Sequence, residues 1–224
     1  MKRLILCCAI WLCLPQAAHA ISCNQTTPPK ITLERSETPI QYDFAQNRTS
    51  LNQIGAEILA ASPGGATSSH VGGLTNGTIS SNMSTQLQTL TSPDGSACIW
   101  ISEVIIRLQY QPIVYVSREF APGSCYHAAV LEHEHKHVSV DRALITMFAP
   151  ELQNAIQNVA ATKGRAGPIS KVQLESTCRT IQKAIEDELN RMMDNLSTVR
   201  SARQAQIDTP QEYMRVQRLC VNWP

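Results

Sequence analysis

The chain contains the pattern H-E-x-x-H at residues 133–137. On a helix, residues i and i+4 lie one turn apart on the same face, so His133 and His137 can bind one Zn²⁺ at about 2.0–2.1 Å. Glu134 lies about 100° further round the helix, where it can reach a zinc-activated water as a general base. The pattern therefore predicts a zinc centre with two histidine ligands and a glutamate that moves a proton.

The residues around this pattern favour a buried metal site. At 100° per residue, His133 and His137 share one helix face with a largely apolar set. That set is Tyr126, Val130, Val140, Asp141, Leu144 and Phe148. The residues outside this face are Glu132, His135, Lys136, Ser139 and Arg142. His135 is therefore predicted to face solvent, and two histidines within an apolar stripe are hard to explain by core packing alone.

Strand-like segments precede the predicted metal-binding helix. Alternating apolar and polar residues predict strands at 40–44, 77–90 and 98–108, and Pro112 is expected to end the last strand before a short one at 113–117. Residues 92–95, Ser-Pro-Asp-Gly, predict a turn between the two longer strands. Ser50 is a plausible N-cap of a short helix. Residues 21–38 and 62–76 are expected to be irregular.

The apolar period becomes helical after Ser124. The sequence predicts one helix from about Ser124 to Phe148, ended by Pro150, and a second over 151–162. A third, long helix is predicted at about 171–206. Strands followed by helices indicate the α+β class, with a small mixed or antiparallel sheet, an active-site helix and a long C-terminal helix.

Several segments resemble a bacterial family of secreted zinc-dependent proteases described as a domain of unknown function. The similar segments are Tyr42 to Leu59, Ala97-Cys98-Ile99-Trp100, Pro112 to Val116, Ser124-Cys125-Tyr126 leading into Leu131 to Glu134, and Gln204-Ala205-Gln206-Ile207-Asp208. The family pattern continues past the aspartate with Thr, His and Gly, a continuation that this chain lacks. The resemblance implies a single zincin-like metallopeptidase domain over residues 21–224.

A zincin needs a third protein ligand, which spacing alone does not identify. The resemblance implies Asp208, which also ends a predicted helix. Glu188 on the long C-terminal helix and Asp141, one turn beyond His137, are the alternatives. Asp141 could instead orient a ligand imidazole from outside the metal's own shell. Tyr213 could donate a hydrogen bond to an oxyanion, although packing is the simpler interpretation of this side chain.

The N-terminus predicts export. Met1-Lys2-Arg3 precedes an apolar run of about 11 residues, short of the roughly 20 that span a membrane. Ala18-His19-Ala20 then supplies a small-x-small cleavage signal, so residues 1–20 have the layout of a signal peptide. The mature protein, 21–224, is expected to be periplasmic or secreted. Lipidation at Cys23 is the alternative to simple cleavage.

Cysteine spacing and charge narrow the class further. Three of the 8 cysteines lie within residues 1–20. The other five are Cys23, Cys98, Cys125, Cys178 and Cys220. Their wide spacing predicts two disulfides and one odd thiol rather than a cysteine zinc ribbon. Cys98 with Cys125 is the favoured pair, because a strand and the helix that follows it often pack together. A net charge of +1 with scattered basic residues argues against a nucleic-acid partner.

The expected function is that of a secreted or periplasmic zinc metalloprotease. Zinc would polarise the scissile carbonyl of a peptide or protein substrate, and Glu134 would transfer the proton. The strands at 98–110 or 113–117 are expected to bind extended substrate by strand addition. The alternatives are a non-catalytic zinc-binding module and a structural envelope protein with a vestigial motif. The sequence predicts no transmembrane segment in the mature protein and does not indicate an oligomeric state.

Overall fold

A mixed five-stranded sheet is built around one long strand. The computed structural model describes residues 21–24, 27–61 and 72–223, so the predicted signal peptide lies outside the described residues. The strands are β1 (Lys30–Glu37), β2 (Gln41–Asp43), β3 (Gly73–Thr91), β4 (Ser96–Val116) and β5 (Arg165–Ser170). β3 lies antiparallel along one edge of β4. The other edge pairs with β1 and β2 in parallel and with β5 antiparallel.

β4 is central, which overturns the prediction that it binds substrate by strand addition. Both of its edges already carry partners, so its backbone groups have no free edge to offer an extended peptide. Its apolar face is the predicted one, since Val104, Ile106 and Leu108 are buried. The turn before it is also confirmed, with Gly95 at φ 84°.

Pro112 does not interrupt β4, contrary to the sequence prediction. The carbonyl of Tyr110 accepts a hydrogen bond from Thr38 N on the β1 side of the strand. Pro112, two residues on, directs its nitrogen to the same side. There β1 has ended, at the pair Glu37–Tyr110, and β2 has not begun, since it starts opposite Ile113. The proline therefore costs the sheet no ladder hydrogen bond.

Four α-helices accompany the sheet within the described residues. They are α1 (Arg48–Ala61), α2 (Cys125–Lys163), α3 (Leu174–Gln204) and α4 (Pro210–Arg218), with a 3₁₀ turn at Lys171–Gln173. The α+β class and the long C-terminal helix are confirmed. None of these helices is long and apolar enough to cross a membrane. α1 begins earlier than predicted, because Asn47 Oδ1 accepts a hydrogen bond from Ser50 N at 2.7 Å.

α2 runs through Pro150, so the two helices predicted at 124–148 and 151–162 are one helix of 39 residues. An interior proline costs a helix about 3 kcal/mol because it removes a donor and crowds the preceding turn. Burial on both sides of the proline offsets this cost. Phe148 precedes it, and Leu152 and Ile156, both fully buried, continue the same stripe. α2 and α3 pack on the apolar face of the sheet, where α3 contributes Ile181, Ile185, Leu189, Met192 and Leu196.

Two further segments differ from the sequence interpretation. The region 21–38, expected to be irregular, contains β1, whose Ile31 and Leu33 pack against the core. Of the loop expected at 62–76, residues 62–71 lie outside the described ones, and β3 already begins at Gly73. β3 begins earlier than predicted because β4 continues past Pro112, and residues 73–76 pair with residues 113–116 of β4. Gly73 and Gly77 let this part of the strand approach α2 closely.

The disulfides join Cys23 to Cys98 and Cys125 to Cys220, and Cys178 carries a free thiol. Two disulfides and one odd thiol were expected, but the favoured pair Cys98–Cys125 is wrong. Cys98 lies near the start of β4 and Cys125 follows its end, and the strand from Cys98 to Val116 spans about 60 Å. The first disulfide also overturns lipidation at Cys23, since its sulfur is bonded to Cys98. Both bonds are consistent with an oxidising compartment.

Candidate metal centre

The residues of the H-E-x-x-H pattern lie in the first half of α2, where the helix passes under β3. Ser124 caps the helix, its side chain accepting a hydrogen bond from His127 N. His133, Glu134 and His137 are all buried, at 6%, 3% and 8% relative exposure. The helix face predicted from the sequence is therefore the one that packs against the protein.

Asp208 meets the two histidines from the turn between α3 and α4. Thr209 caps α4 by accepting a hydrogen bond from Glu212 N at 3.2 Å, and Pro210 is its first residue. Asp208 Oδ1 lies 3.2 Å from His133 Nε2 and 3.3 Å from His137 Nε2. The two Nε2 atoms are 3.4 Å apart. Of the three candidates for a third ligand, only Asp208 joins the histidines in a group that could hold a metal ion, within the part of the chain that the structure describes.

The three donor atoms have the spacing of one face of a tetrahedral zinc site. Bonds of about 2.0–2.1 Å at the tetrahedral angle place neighbouring ligand atoms about 3.3–3.4 Å apart. The separations of 3.2, 3.3 and 3.4 Å match this value. Three protein ligands leave a fourth position open, as catalytic zinc sites do. The donor set of two imidazoles and a carboxylate therefore fits zinc, although the geometry does not itself identify the metal.

The outer ring nitrogens are turned away from this centre toward acceptors. His133 Nδ1 lies 3.3 Å from Glu212 Oε1, and His137 Nδ1 lies 2.5 Å from Gln204 Oε1. A hydrogen on each Nδ1 satisfies both contacts and leaves both Nε2 lone pairs directed at the Asp208 oxygen. The lone pairs of the two Nε2 atoms and of Asp208 Oδ1 then converge in a buried space, where their mutual repulsion requires a cation between them.

Protonation of the metal-free site provides that positive charge. Burial lowers the pKa of His137, but the hydrogen bond to Asp208 and the charge of Glu134 outweigh burial and raise the pKa to about 9. The pKa of His133 is raised on the same balance. Burial acts to raise the pKa of Asp208, but hydrogen bonds from both histidines hold it well below its ordinary value. The site thus prefers two cationic rings around an anion when no metal is bound.

A metal ion that binds here must displace these protons, so its apparent affinity is expected to depend on pH. Below pH 9, the raised pKa of His137 means that binding releases a proton, so affinity should fall at least about tenfold for each pH unit. The fall should be steeper wherever His133, whose pKa is also raised, holds a proton as well. Competition against a chromogenic chelator at pH 6, 7, 8 and 9 measures this slope. A flat profile would contradict the protonation described here.

Glu134 is held beside the metal centre by β3. Thr75 Oγ1 lies 2.9 Å from Glu134 Oε2 and 3.0 Å from the Glu134 carbonyl, so the hydroxyl can donate to either. A Cβ atom at Gly73 would lie 2.7 Å from Glu134 Oε1, and the glycine is therefore what lets the strand pass this carboxyl. Burial raises the pKa of Glu134 despite the two histidines nearby.

The other candidates from the sequence occupy different places. Glu188 pairs with Arg191 at 2.6 Å on the surface of α3. Asp141 is fully buried and accepts hydrogen bonds from Arg200, Gln204 and Tyr110. His135 is half-buried rather than exposed and contacts the Tyr42 hydroxyl at 3.0 Å.

Two residues of the C-terminal segment tie it to the centre. Tyr213 donates a hydrogen bond to Asp208 Oδ1 at 2.9 Å. Glu212 accepts hydrogen bonds from Arg215 at 2.8 Å and from Lys136 at 2.6 Å. These two contacts and the one with His133 hold the pKa of Glu212 well below its ordinary range. Lys136, which the helix periodicity places outside the buried face, anchors a carboxylate that contacts His133.

The sequence interpretation missed three residues that support the centre: Thr75, Gln204 and Glu212. For Glu212 a signal was present, because Thr209-Pro210-Gln211-Glu212 has a cap residue, a proline at the first helical position and a glutamate three residues after the cap. This pattern also marks α4, which was not predicted. Thr75 and Gln204 carry no local signal, since only the packing of β3 and α3 against α2 brings them to the site.

Comparison with known proteins adds no assignment. No family model, curated protein or solved structure matches the chain.

Proposed function

We propose that the protein is an exported zinc-dependent peptide hydrolase. The observation that carries the proposal is the triangle of His133 Nε2, His137 Nε2 and Asp208 Oδ1, whose sides match a tetrahedral zinc site, with the carboxyl of Glu134 next to it. The family resemblance of the sequence supports the same activity. Export by residues 1–20 is part of the proposal, and the two disulfides are consistent with it.

The residues of the chain divide the chemistry among them. When bound, zinc supplies a Lewis acid that polarises the scissile carbonyl and lowers the pKa of water. Glu134 takes the proton of the attacking water and passes it to the leaving amine, a role that suits a carboxyl whose pKa is raised by burial. His133, His137 and Asp208 hold the metal, and Thr75 keeps the Glu134 carboxyl in place.

β3 offers a place for an extended peptide. Its inner edge pairs with β4, and no other described strand pairs with it. The strand passes Glu134 at Thr75, which lies within hydrogen-bond distance of the carboxyl. A peptide added to the outer edge of β3 would therefore lie beside the general base, bound through backbone hydrogen bonds.

Removal and return of zinc tests the proposal. The mature protein is expected to cleave an unfolded protein substrate, to lose this activity on dialysis against a strong chelator, and to recover it with one equivalent of Zn²⁺. Fluorescence of a dye-quenched casein measures the rate. Magnesium, which prefers oxygen ligands, is the matched control and should not restore activity.

A non-catalytic zinc-binding module is the second candidate. The 3% exposure of Glu134 favours it, because a base that is enclosed and hydrogen-bonded has restricted access to water and substrate. One equivalent of tightly bound zinc without hydrolysis of unfolded substrates would support this candidate and contradict the hydrolase. Protein that binds no zinc would contradict both.

A further inference from the structure

A buried polar network behind His137 determines which way the amide of Gln204 faces. Gln204 Nε2 lies 2.7 Å from Asp141 Oδ1 and 3.2 Å from the His137 carbonyl oxygen. A carbonyl oxygen can only accept a hydrogen bond, so the Gln204 atom that faces it must be the amide nitrogen. The amide oxygen then faces His137 Nδ1, at 2.5 Å.

Asp141 is held chiefly by a guanidinium, a group that can only donate hydrogen bonds. Arg200 donates to it twice, from Nε to Oδ1 and from Nη2 to Oδ2, each at 2.7 Å. Tyr110 donates to Oδ2 at 3.0 Å. With Gln204, the carboxylate accepts four hydrogen bonds while fully buried. Because the guanidinium can only donate, both Asp141 oxygens accept from it, and Gln204 is held with its amide nitrogen toward Asp141.

Helix geometry and one glycine bring this network together. Asp141 lies one turn after His137 on α2, and Gln204 lies one turn after Arg200 at the end of α3. The two pairs face each other across the contact between the helices. A Cβ atom at Gly77 would lie 2.6 Å from Asp141 Oδ2 and 2.9 Å from Arg200 Nη2. β3 can therefore cover the network only with glycine at this position.

We infer that Gln204 is a positioning residue that sets the tautomer of His137, with Asp141 holding Gln204 in the orientation that this requires. Because the amide oxygen accepts, Nδ1 of His137 carries the hydrogen and Nε2 keeps its lone pair for the metal. The inference rests on the metal centre proposed above and deepens it. It also gives Asp141 a function through Gln204 rather than at the metal.

The two ligand histidines are therefore oriented by different means. His133 is oriented by Glu212, a carboxylate shared with Lys136 and Arg215 near the surface. His137 is oriented by a neutral amide whose direction is imposed from the protein interior. Loss of an outer hydrogen-bond partner of a ligand typically lowers metal affinity about 10–100-fold.

Two substitutions at Gln204 separate positioning from a merely structural role. Gln204→Met keeps the shape and removes the acceptor, so zinc affinity should fall about 10–100-fold. Gln204→Glu keeps an acceptor for Nδ1–H, so its zinc affinity should exceed that of the Met variant. Urea unfolding of the metal-free variants measures stability separately, so that a loss of zinc affinity unrelated to stability marks positioning. Gln206→Met, an exposed position two residues away, is the matched control and should resemble wild type in both.

The spectrum of the wild-type protein tests the tautomer without any substitution. Histidine-labelled, zinc-loaded protein should show a slowly exchanging Nδ1–H of His137 by ¹⁵N NMR. A spectrum in which His137 Nδ1 is the metal ligand would overturn the inference. So would wild-type zinc affinity in the Gln204→Met variant, or zinc affinities of the two Gln204 variants that rank in the same order as their unfolding free energies. Wild-type protein that binds zinc with this tautomer but hydrolyses no peptide would overturn the hydrolase alone. Protein that binds no zinc would overturn both.

Discussion

Replacing Glu134 by glutamine is expected to leave zinc bound and to lower the rate of peptide hydrolysis by about 10²–10⁴-fold. The amide has the size of the carboxyl and can still contact Thr75, which lies 2.9 Å from Glu134 Oε2 in the native protein. It cannot take the proton of the attacking water. Zinc content by atomic absorption and cleavage of a quenched peptide substrate, both on the same sample, measure the two effects separately.

Glu132→Gln is the matched control for this experiment. Glu132 lies two residues earlier on α2, is exposed, and pairs with Arg215 at 3.0 Å. Its substitution should leave hydrolysis close to wild type, because exposed ion pairs contribute little. Hydrolysis at the wild-type rate in the Glu134 variant would refute its role as the general base. An equal loss of hydrolysis in both variants would indicate a general effect of charge near the site.

Replacing His137 by alanine is expected to abolish stoichiometric zinc binding. The substitution removes one corner of a triangle with sides of 3.2, 3.3 and 3.4 Å and leaves two protein ligands. The loss of affinity should exceed the roughly 10–100-fold typical of an outer hydrogen-bonding partner. Isothermal titration of metal-free protein with Zn²⁺ measures it directly.

His135→Ala provides the comparison within the same pattern. Its ring contacts the Tyr42 hydroxyl at 3.0 Å, and it is not part of the group that could hold the metal. This variant should bind one zinc with wild-type affinity. If the two variants lost zinc equally, the ligand assignment would be wrong. If the His137 variant bound zinc as wild type does, the metal centre itself would be refuted.

Periodicity predicted the elements that carry the centre, and its errors have identifiable physical causes. The buried face of α2 follows from the constant rotation of about 100° per residue of a helix. This rotation alone places Val130, His133 and His137 on one face, and all three are buried. Pro150 and Pro112 were expected to end their elements. A local rule cannot detect that Leu152 and Ile156 extend the buried stripe, or that Pro112 lies opposite the gap between β1 and β2.

The long-range parts of the site depended on information that spacing does not contain. Asp208 was favoured by resemblance, and its proximity to His133 arises from the turn before α4. Gln204 and Thr75 reach the site only through the packing of α3 and β3. The disulfide prediction failed for a related reason. Cys98 lies near the start of β4 and Cys125 follows its end, and a strand that ends at Pro112 is shorter than the one observed.

The disulfide between Cys125 and Cys220 connects the metal centre to the redox state of its surroundings. It joins the first residue of α2, which carries both histidines, to the segment beyond α4 that follows Asp208 and Glu212. In a reducing cytoplasm this bond does not persist, and the segment that supplies the third ligand loses its covalent anchor. Metal affinity is therefore expected to be lower with this bond reduced than with it formed. The Cys125–Cys220 bond would then couple metal binding to the oxidation state of the chain.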